Sequence, residues 1–281
     1  LEPGPDEESP RRVAAALQRA DSPEVVMFVH GYNNRFDEAA GSLATLWQAS
    51  GRNGVPLLFS WPAGHPGPFG YFMDRESGEF SVFHFKETLR LLAQVPGLRA
   101  IHVIAHSRGA DVATTGLREM VIAARAAGHV PRARLKIDNL ILAAPDMDFQ
   151  VVRQRLIAEA FGPAFGRISV YMNPGDGALG LAQTVMTGTR FGRLSFDEMA
   201  APEKEIFSRI RNVDFISVAN VVRQSGHGYF RENPAVLSDI ATLLRRSAPP
   251  GSSARRLEPD RINFWTLTNT PPRPRPAEAA R

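Results

Sequence analysis

The side chain best placed to attack an electrophile lies in the stretch Ile101 to Met120, "IHVIAHSRGADVATTGLREM". An apolar run that reads as a strand ends at Ser107, and a helical pattern starts directly after it. The stretch fits the G-x-S-x-G elbow, with Ala105 in the place of the first glycine. Small residues two before and two after the Ser are what such a turn demands. The Ser backbone is strained there, and larger neighbours would collide as strand becomes helix. The helix start also aims backbone N–H groups at negative charge developing near Ser107. A helix N-cap would need only the Ser, so a nucleophile is the better reading. His106 points away from Ser107 and is expected to pack or hydrogen-bond behind it.

A nucleophilic Ser needs a base to take its proton and a third group to hold that base. In an elbow architecture the acid and the His follow the Ser in the chain. Only His129 and His227 do so. His129 falls in a polar turn after the elbow helix, far from the strand ends. His227 lies in "RQSGHGYFRENP", a Gly-flanked loop between a strand and the last helix, and is the expected base. Asp176, in the sharp turn "NPGDG", is the expected acid because it sits one strand from that loop. Asp146, with Asp148 beside it after "NLILAAP", is the reserve, read first as a helix cap or structural acceptor.

Acyl transfer also needs two donors for the oxyanion. The backbone N–H of Arg108 supplies one. The other is assigned to the N–H of Tyr32 in "HGYNN" (residues 30–34), with Asn33 as the neighbour that could replace it. Gly31 allows the close approach, and His30 is expected to brace the loop.

These residues need a scaffold that brings distant strand ends together. Six short Val/Ile-rich runs read as strands covered on both faces: "EVVMFVHG", "VPLLFSWP", "AIHVIAHS", "NLILAAPD", "RISVYMNP" and "VDFISVAN". Helical patterns alternate with them, over Asp37 to Ser50, Ser81 to Val95 with Ser81 as cap, Arg108 to Ala127, and from Asn233 to Arg245. The alternation predicts an α/β fold: a doubly wound, mostly parallel sheet flanked by helices, with ligands beyond the carboxyl ends of the strands. Residues 1–23 read as a polar lead-in with a short helix over Arg11 to Arg19, residues 24–246 as the domain, and residues 247–281 as a Pro/Arg-rich tail. Within that tail "INFWTL" (residues 262–267) is apolar enough to dock on the body.

The net charge of +4 belongs to the tail, where residues 245–281 hold eight Arg against three acids; the rest sums to −1. Nucleic-acid binding is therefore not expected of the body, and no apolar run reaches the roughly 18 residues of a membrane span. There are no cysteines, which excludes disulfides, a thiol nucleophile and Cys-based zinc sites. The start at Leu1 rather than Met points to upstream trimming, so an export segment stays in view beside a cytoplasmic location.

Together these residues resemble the α/β-hydrolase superfamily, and within it the bacterial branch called domain of unknown function 900. The resemblance runs from about Val25 to Leu243 on "FVHGYNN", "FSWPA", "IAHSRG", "LAAPDMD", "YMNPGDGAL" and "SGHGYF", in that order. It implies Ser107 as the elbow Ser, Asp176 as the acid and His227 as the base. The chain departs from the pattern after the Ser. Relatives usually show an apolar residue followed by Gly-Asn, whereas this chain has Arg108, Gly109 and Ala110. An acidic substrate group is one partner open to the Arg108 side chain, but a pairing with Asp111 or a nearby loop is expected first.

About twenty residues separate "AAPD" from the next strand, too few for a large helical cap. Trp61 to Ser81 is expected to form a short flap, with Trp61, Phe69, Tyr71 and Phe72 lining the substrate pocket of a fairly open site. No phosphate loop, dinucleotide fingerprint or acidic metal cluster is present, and no cofactor is expected. The expected activity is hydrolysis of a small-molecule carboxylic ester through an acyl-enzyme. The same residues would also suit a thioester or amide, or remain on a scaffold that only binds.

Overall fold

In the computed structural model, which describes residues 8–186, 188–222 and 226–269, strand β1 (Glu24–Val29) is buried at all six positions. Its side chains alternate between two cores. Val25, Met27 and Val29 face one, and Val26 and Phe28 the other. A strand covered on both faces has no polar side, which is why its sequence runs apolar without alternation. The remaining strands are β2 (Val55–Phe59), β3 (Ala100–His106), β4 (Ile137–Ala143), β5 (Arg167–Met172), β6 (Val213–Ser217), β7 (Leu257–Arg261) and β8 (Phe264–Leu267). They form one sheet of order β2-β1-β3-β4-β5-β6-β8-β7. Every pairing is parallel except that of the edge strand β7 with β8.

The helices are α1 (Glu8–Leu17), α2 (Phe36–Ala49), α3 (Gly67–Gln94), α4 (Gly109–Ala126), α5 (Pro131–Leu135), α6 (Phe149–Val152), α7 (Gly177–Met186), α8 (Ala201–Arg209), α9 (Tyr229–Glu232) and α10 (Pro234–Arg246). A π-helical turn, Arg153–Ile157, continues α6. Helices α3 and α4 cover the face that holds Met27, with Phe85, Leu89 and Leu117 in the core. Helices α2 and α10 cover the other, with Leu46, Val236, Ile240 and Leu243. Among the described residues no helix is long and apolar enough to cross a membrane.

Two expectations are corrected. The flap at Trp61 to Ser81 and the helix expected to begin at Ser81 are largely one helix, α3, of 28 residues. Ser81 is not its cap; it sits mid-helix with its hydroxyl donating to the Ser77 carbonyl, 2.6 Å away. Glycines within the helix mark close packing. A Cβ on Gly70 would lie 2.1 Å from the His65 carbonyl oxygen, and one on Gly78 would lie 3.3 Å from Val112. The second correction concerns the chain after Arg246, which keeps building the sheet. Strand β8 pairs with β6, and Arg255 is fully buried in a two-pronged contact with Asp239, at 2.8 and 2.6 Å. The docking expected of "INFWTL" thus takes the form of an added strand. Residues 270–281, the most Pro/Arg-rich part of the tail, lie outside the described residues.

Candidate active site

Ser107 closes β3 with φ of 52°, a left-handed conformation costly for a residue with a side chain. The small neighbours explain how the chain tolerates it. A Cβ at position 109 would lie 2.2 Å from the His30 carbonyl oxygen, and one at position 31 would lie 2.8 Å from Ser107 Cβ. Only glycine lets the Gly31 loop and the elbow touch.

The loop after β6 returns an imidazole to this turn. His227 Nε2 lies 2.9 Å from Ser107 Oγ, and its Nδ1 lies 2.7 Å from Asp176 Oδ2. With the ring proton on Nδ1 donated to Asp176, Nε2 is free to accept the Ser107 hydroxyl. Asp176 is 1% exposed, and its Oδ1 accepts the Leu179 N–H at 3.0 Å. The carboxylate is thereby fixed at the start of α7, where a helix favours negative charge.

Three further residues hold this line in place, of which the sequence singled out only His106. Asn173 joins the acid turn to the His loop, since its Oδ1 accepts from the Gly175 N–H and its Nδ2 donates to the Gly226 carbonyl. The buried Tyr229 hydroxyl donates to the Tyr171 carbonyl at 2.8 Å and accepts the Ala144 N–H at 2.9 Å. That clamps the residue two after His227 to the ends of β4 and β5. His106 Nε2–H donates to the His227 carbonyl at 3.2 Å. Burial, with the neighbouring His227 adding to it, holds the His106 pKa well below the ordinary value, so the ring is a neutral donor.

The loop after β1 supplies the facing wall. Among the described residues, no protein acceptor pairs with the backbone N–H of Tyr32 or of Arg108. The N–H of Asn33, the alternative to Tyr32, points to the buried Asp74 carboxylate at 3.4 Å. Asp74 also receives His65 Nδ1 at 2.6 Å, and the Tyr32 hydroxyl donates to the Gly67 carbonyl. Helix α3 thus anchors the loop at two points, Asp74 and Gly67. His30 braces it as expected: its Nδ1–H donates to the Gly31 carbonyl, and its Nε2 accepts the Trp61 N–H. Burial lowers the His30 pKa, which keeps Nε2 available as an acceptor.

Beside Ser107 and His227 lies a cavity of about 370 Å³, lined by Tyr32, Asn33, Tyr71, Asp146 and the α7 residues Ala178, Leu179, Leu181 and Ala182, among others. Among the described residues no group of three or more His, Asp or Glu could hold a metal ion.

The sequence matches, over residues 6–246, the family described as alpha/beta hydrolase of unknown function (DUF900). The chain belongs to this family. Solved structures of hydrolases and esterases align with it at low identity. A CIB-like hydrolase from Thermoplasma acidophilum is 14% identical, with a TM-score of 0.45, over 80% of this chain and 88% of the other. An esterase from Pyrobaculum calidifontis is 14% identical, with a TM-score of 0.45, over 80% of this chain and 76% of the other. Est1E from Butyrivibrio proteoclasticus, solved with ferulic acid, is 12% identical, with a TM-score of 0.44, over 81% and 89%. None of the curated proteins matches this sequence.

In this α/β hydrolase the expected pocket residues separate. Tyr71 lines the cavity, with its hydroxyl donating to Asp146 at 2.6 Å. Trp61 does not; it is buried, stacked on His30, and donates from Nε1 to the His30 carbonyl at 2.8 Å. Phe69 is 87% exposed on the outer side of α3, and Phe72 packs edge-on against Tyr71, partly in solvent. A helix sends neighbouring side chains in different directions, so one aromatic in this cluster turns inward. The cover comes from elsewhere, from α7 directly after Asp176. The reserve acid Asp146 is a structural acceptor, held by Tyr71 and facing Arg190 at 3.5 Å. Asp148 caps α6 by accepting from the Gln150 and Val151 N–H groups. The Arg108 side chain pairs with Asp111 at 3.0 Å.

Proposed function

We propose that this α/β hydrolase is a serine hydrolase that cleaves carboxylic esters through an acyl-enzyme, with Ser107 as nucleophile, His227 as general base and acid, and Asp176 as the group that orients His227. The observation that carries the reading is the unbroken line of contacts from Ser107 Oγ through the His227 ring to the buried Asp176 carboxylate. His227 Nε2 takes the hydroxyl proton as Ser107 Oγ attacks the ester carbonyl. The resulting oxyanion is met by the N–H groups of Arg108 and Tyr32, each worth about 3 kcal/mol of barrier. Collapse transfers the Nε2 proton to the leaving alkoxide and leaves an ester on Ser107. Water then repeats the sequence, releasing the acid and restoring the hydroxyl. No cofactor takes part in any step.

The size and lining of the cavity favour a small ester. Its volume is at the lower end of the range for ligand pockets, about 300–1,000 Å³. Its α7 wall is apolar and its far wall carries the Tyr71 ring, which suits a short acyl group. The test is turnover of a p-nitrophenyl ester series. Wild type should hydrolyse short-chain esters, and Ser107→Ala should lose that activity while melting at an unchanged or higher temperature. Undiminished turnover by Ser107→Ala would reject the proposal.

A further inference from the structure

The cavity beside Ser107 is not the largest in the molecule. A cleft of about 600 Å³ opens between the π-helical turn Arg153–Ile157, the short turn Gly162–Ala164 and the end of α8, with β4, β5 and β6 as its floor. It shares no lining residue with the Ser107 cavity. Its walls are almost wholly apolar, with Leu156, Ile157, Phe161, Phe165 and Phe207 among them.

Polar bonds around the rim frame the cleft. The Asn212 side-chain amide donates to the carbonyls of Gly162 and Phe165, at 2.8 and 3.1 Å. Arg125 on α4 donates to the carbonyls of Glu159 and Ala160, at 2.7 and 2.6 Å, and Arg118 pairs with the Glu159 carboxylate. These bonds fix the segment 159–165 to α4 on one side and to the loop after α8 on the other without filling the gap. Turns of this type are rare and are often found at functional sites.

Charge at the mouth narrows the ligand. Arg132 and Arg211 line the cleft, and no Asp or Glu does. Among the described residues, the carboxylate facing Arg132 is that of Asp138, at a long 3.9 Å. An apolar channel with guanidinium groups at its mouth fits an apolar chain ending in one anionic group, because the guanidinium fork matches a carboxylate. We propose that this cleft is a non-catalytic binding site for a long-chain carboxylate, a free fatty acid.

The test is calorimetric titration of the intact protein with decanoate, dodecanoate, tetradecanoate, dodecanol and dodecyltrimethylammonium, each below its micelle concentration. Affinity should rise about fourfold per added methylene until the cleft is filled. Dodecanoate should bind at least tenfold more tightly than dodecanol, and the double variant Arg132→Gln/Arg211→Gln should lose that preference while still binding dodecanol. Leu156→Trp, at a half-buried wall position, should weaken every chain. A photoreactive dodecanoate should label residues 153–165 or 207–213. Label confined to α7 at the Ser107 cavity, absence of saturable binding, or equal affinity for the cationic chain would overturn the proposal. Self-association abolished by Leu156→Arg would overturn it too, by giving the surface to a second copy of the chain.

Discussion

His227 Nδ1 faces Asp176 at 2.7 Å, and the reserve acid, Asp146, is held instead by the Tyr71 hydroxyl at 2.6 Å. The two carboxylates end neighbouring strands and are equally buried, yet only one stands behind the imidazole. Their Asn variants should therefore diverge. Asp176→Asn should lower kcat on the order of 10⁴-fold by leaving His227 in the wrong tautomer. Asp146→Asn should alter mainly KM, through the cavity wall and Tyr71. Comparable losses of kcat in both variants would contradict this division.

Gly31 sits against the elbow, and a methyl group there would lie 2.8 Å from Ser107 Cβ. Gly31→Ala should push the Tyr32 N–H away from the oxyanion position. The expected cost is on the order of 10²- to 10³-fold in kcat, as for loss of one oxyanion donor, with circular dichroism unchanged. Full activity in this variant would remove Tyr32 from its proposed role.

Arg255 is buried against Asp239, whose Oδ2 also accepts the Tyr171 hydroxyl at 2.7 Å. Breaking such a pair leaves an uncompensated charge in the interior. Arg255→Ala should cost about 3–5 kcal/mol of stability, read by chemical denaturation. A loss below about 1 kcal/mol would mean that the β7–β8 extension adds little to the fold.

Glu24, nearly buried at the start of β1, gives a pH signature. Burial pushes its carboxyl upward, but the neighbouring His102 and Ser22 and the positive charge of Arg99 outweigh it and bring the pKa from 4.5 down to about 2. A depressed folded-state value means that the contribution is complete above pH 4.5 and is lost as pH falls through about 2. Wild type should therefore exceed Glu24→Gln in stability at pH 6, with the gap closing between those two values. A constant gap would show that the charge of Glu24 is not the source.

Much of this was legible in the sequence, and for identifiable reasons. Strands buried on both faces carry unbroken apolar runs, so β1 and β3 to β6 were readable, and the half-buried edge strand β2 keeps a short apolar run of its own. Ser107 and Asp176 sit in tight turns just after a strand, and His227 sits in a Gly-flanked loop ahead of the last helices, which marks them. What could not be read depends on packing at a distance. Gly70 and Gly78 imitate a loop because the sequence does not reveal what α3 packs against. Phe69, Tyr71 and Phe72 look alike until the helix phase sends only Tyr71 inward. Arg255 resembles the other tail arginines until Asp239, sixteen residues earlier, is brought beside it. Asn173, Tyr229 and Asp74 support the site through backbone contacts that the sequence alone does not reveal.

The most direct test of the central claim is mass-spectrometric mapping of protein treated with a fluorophosphonate. One stoichiometric adduct should form on the peptide that contains Ser107, and its formation should slow at least 100-fold in His227→Ala. An adduct on any other residue, or none on folded wild type, would contradict the assignment of Ser107 as an activated nucleophile.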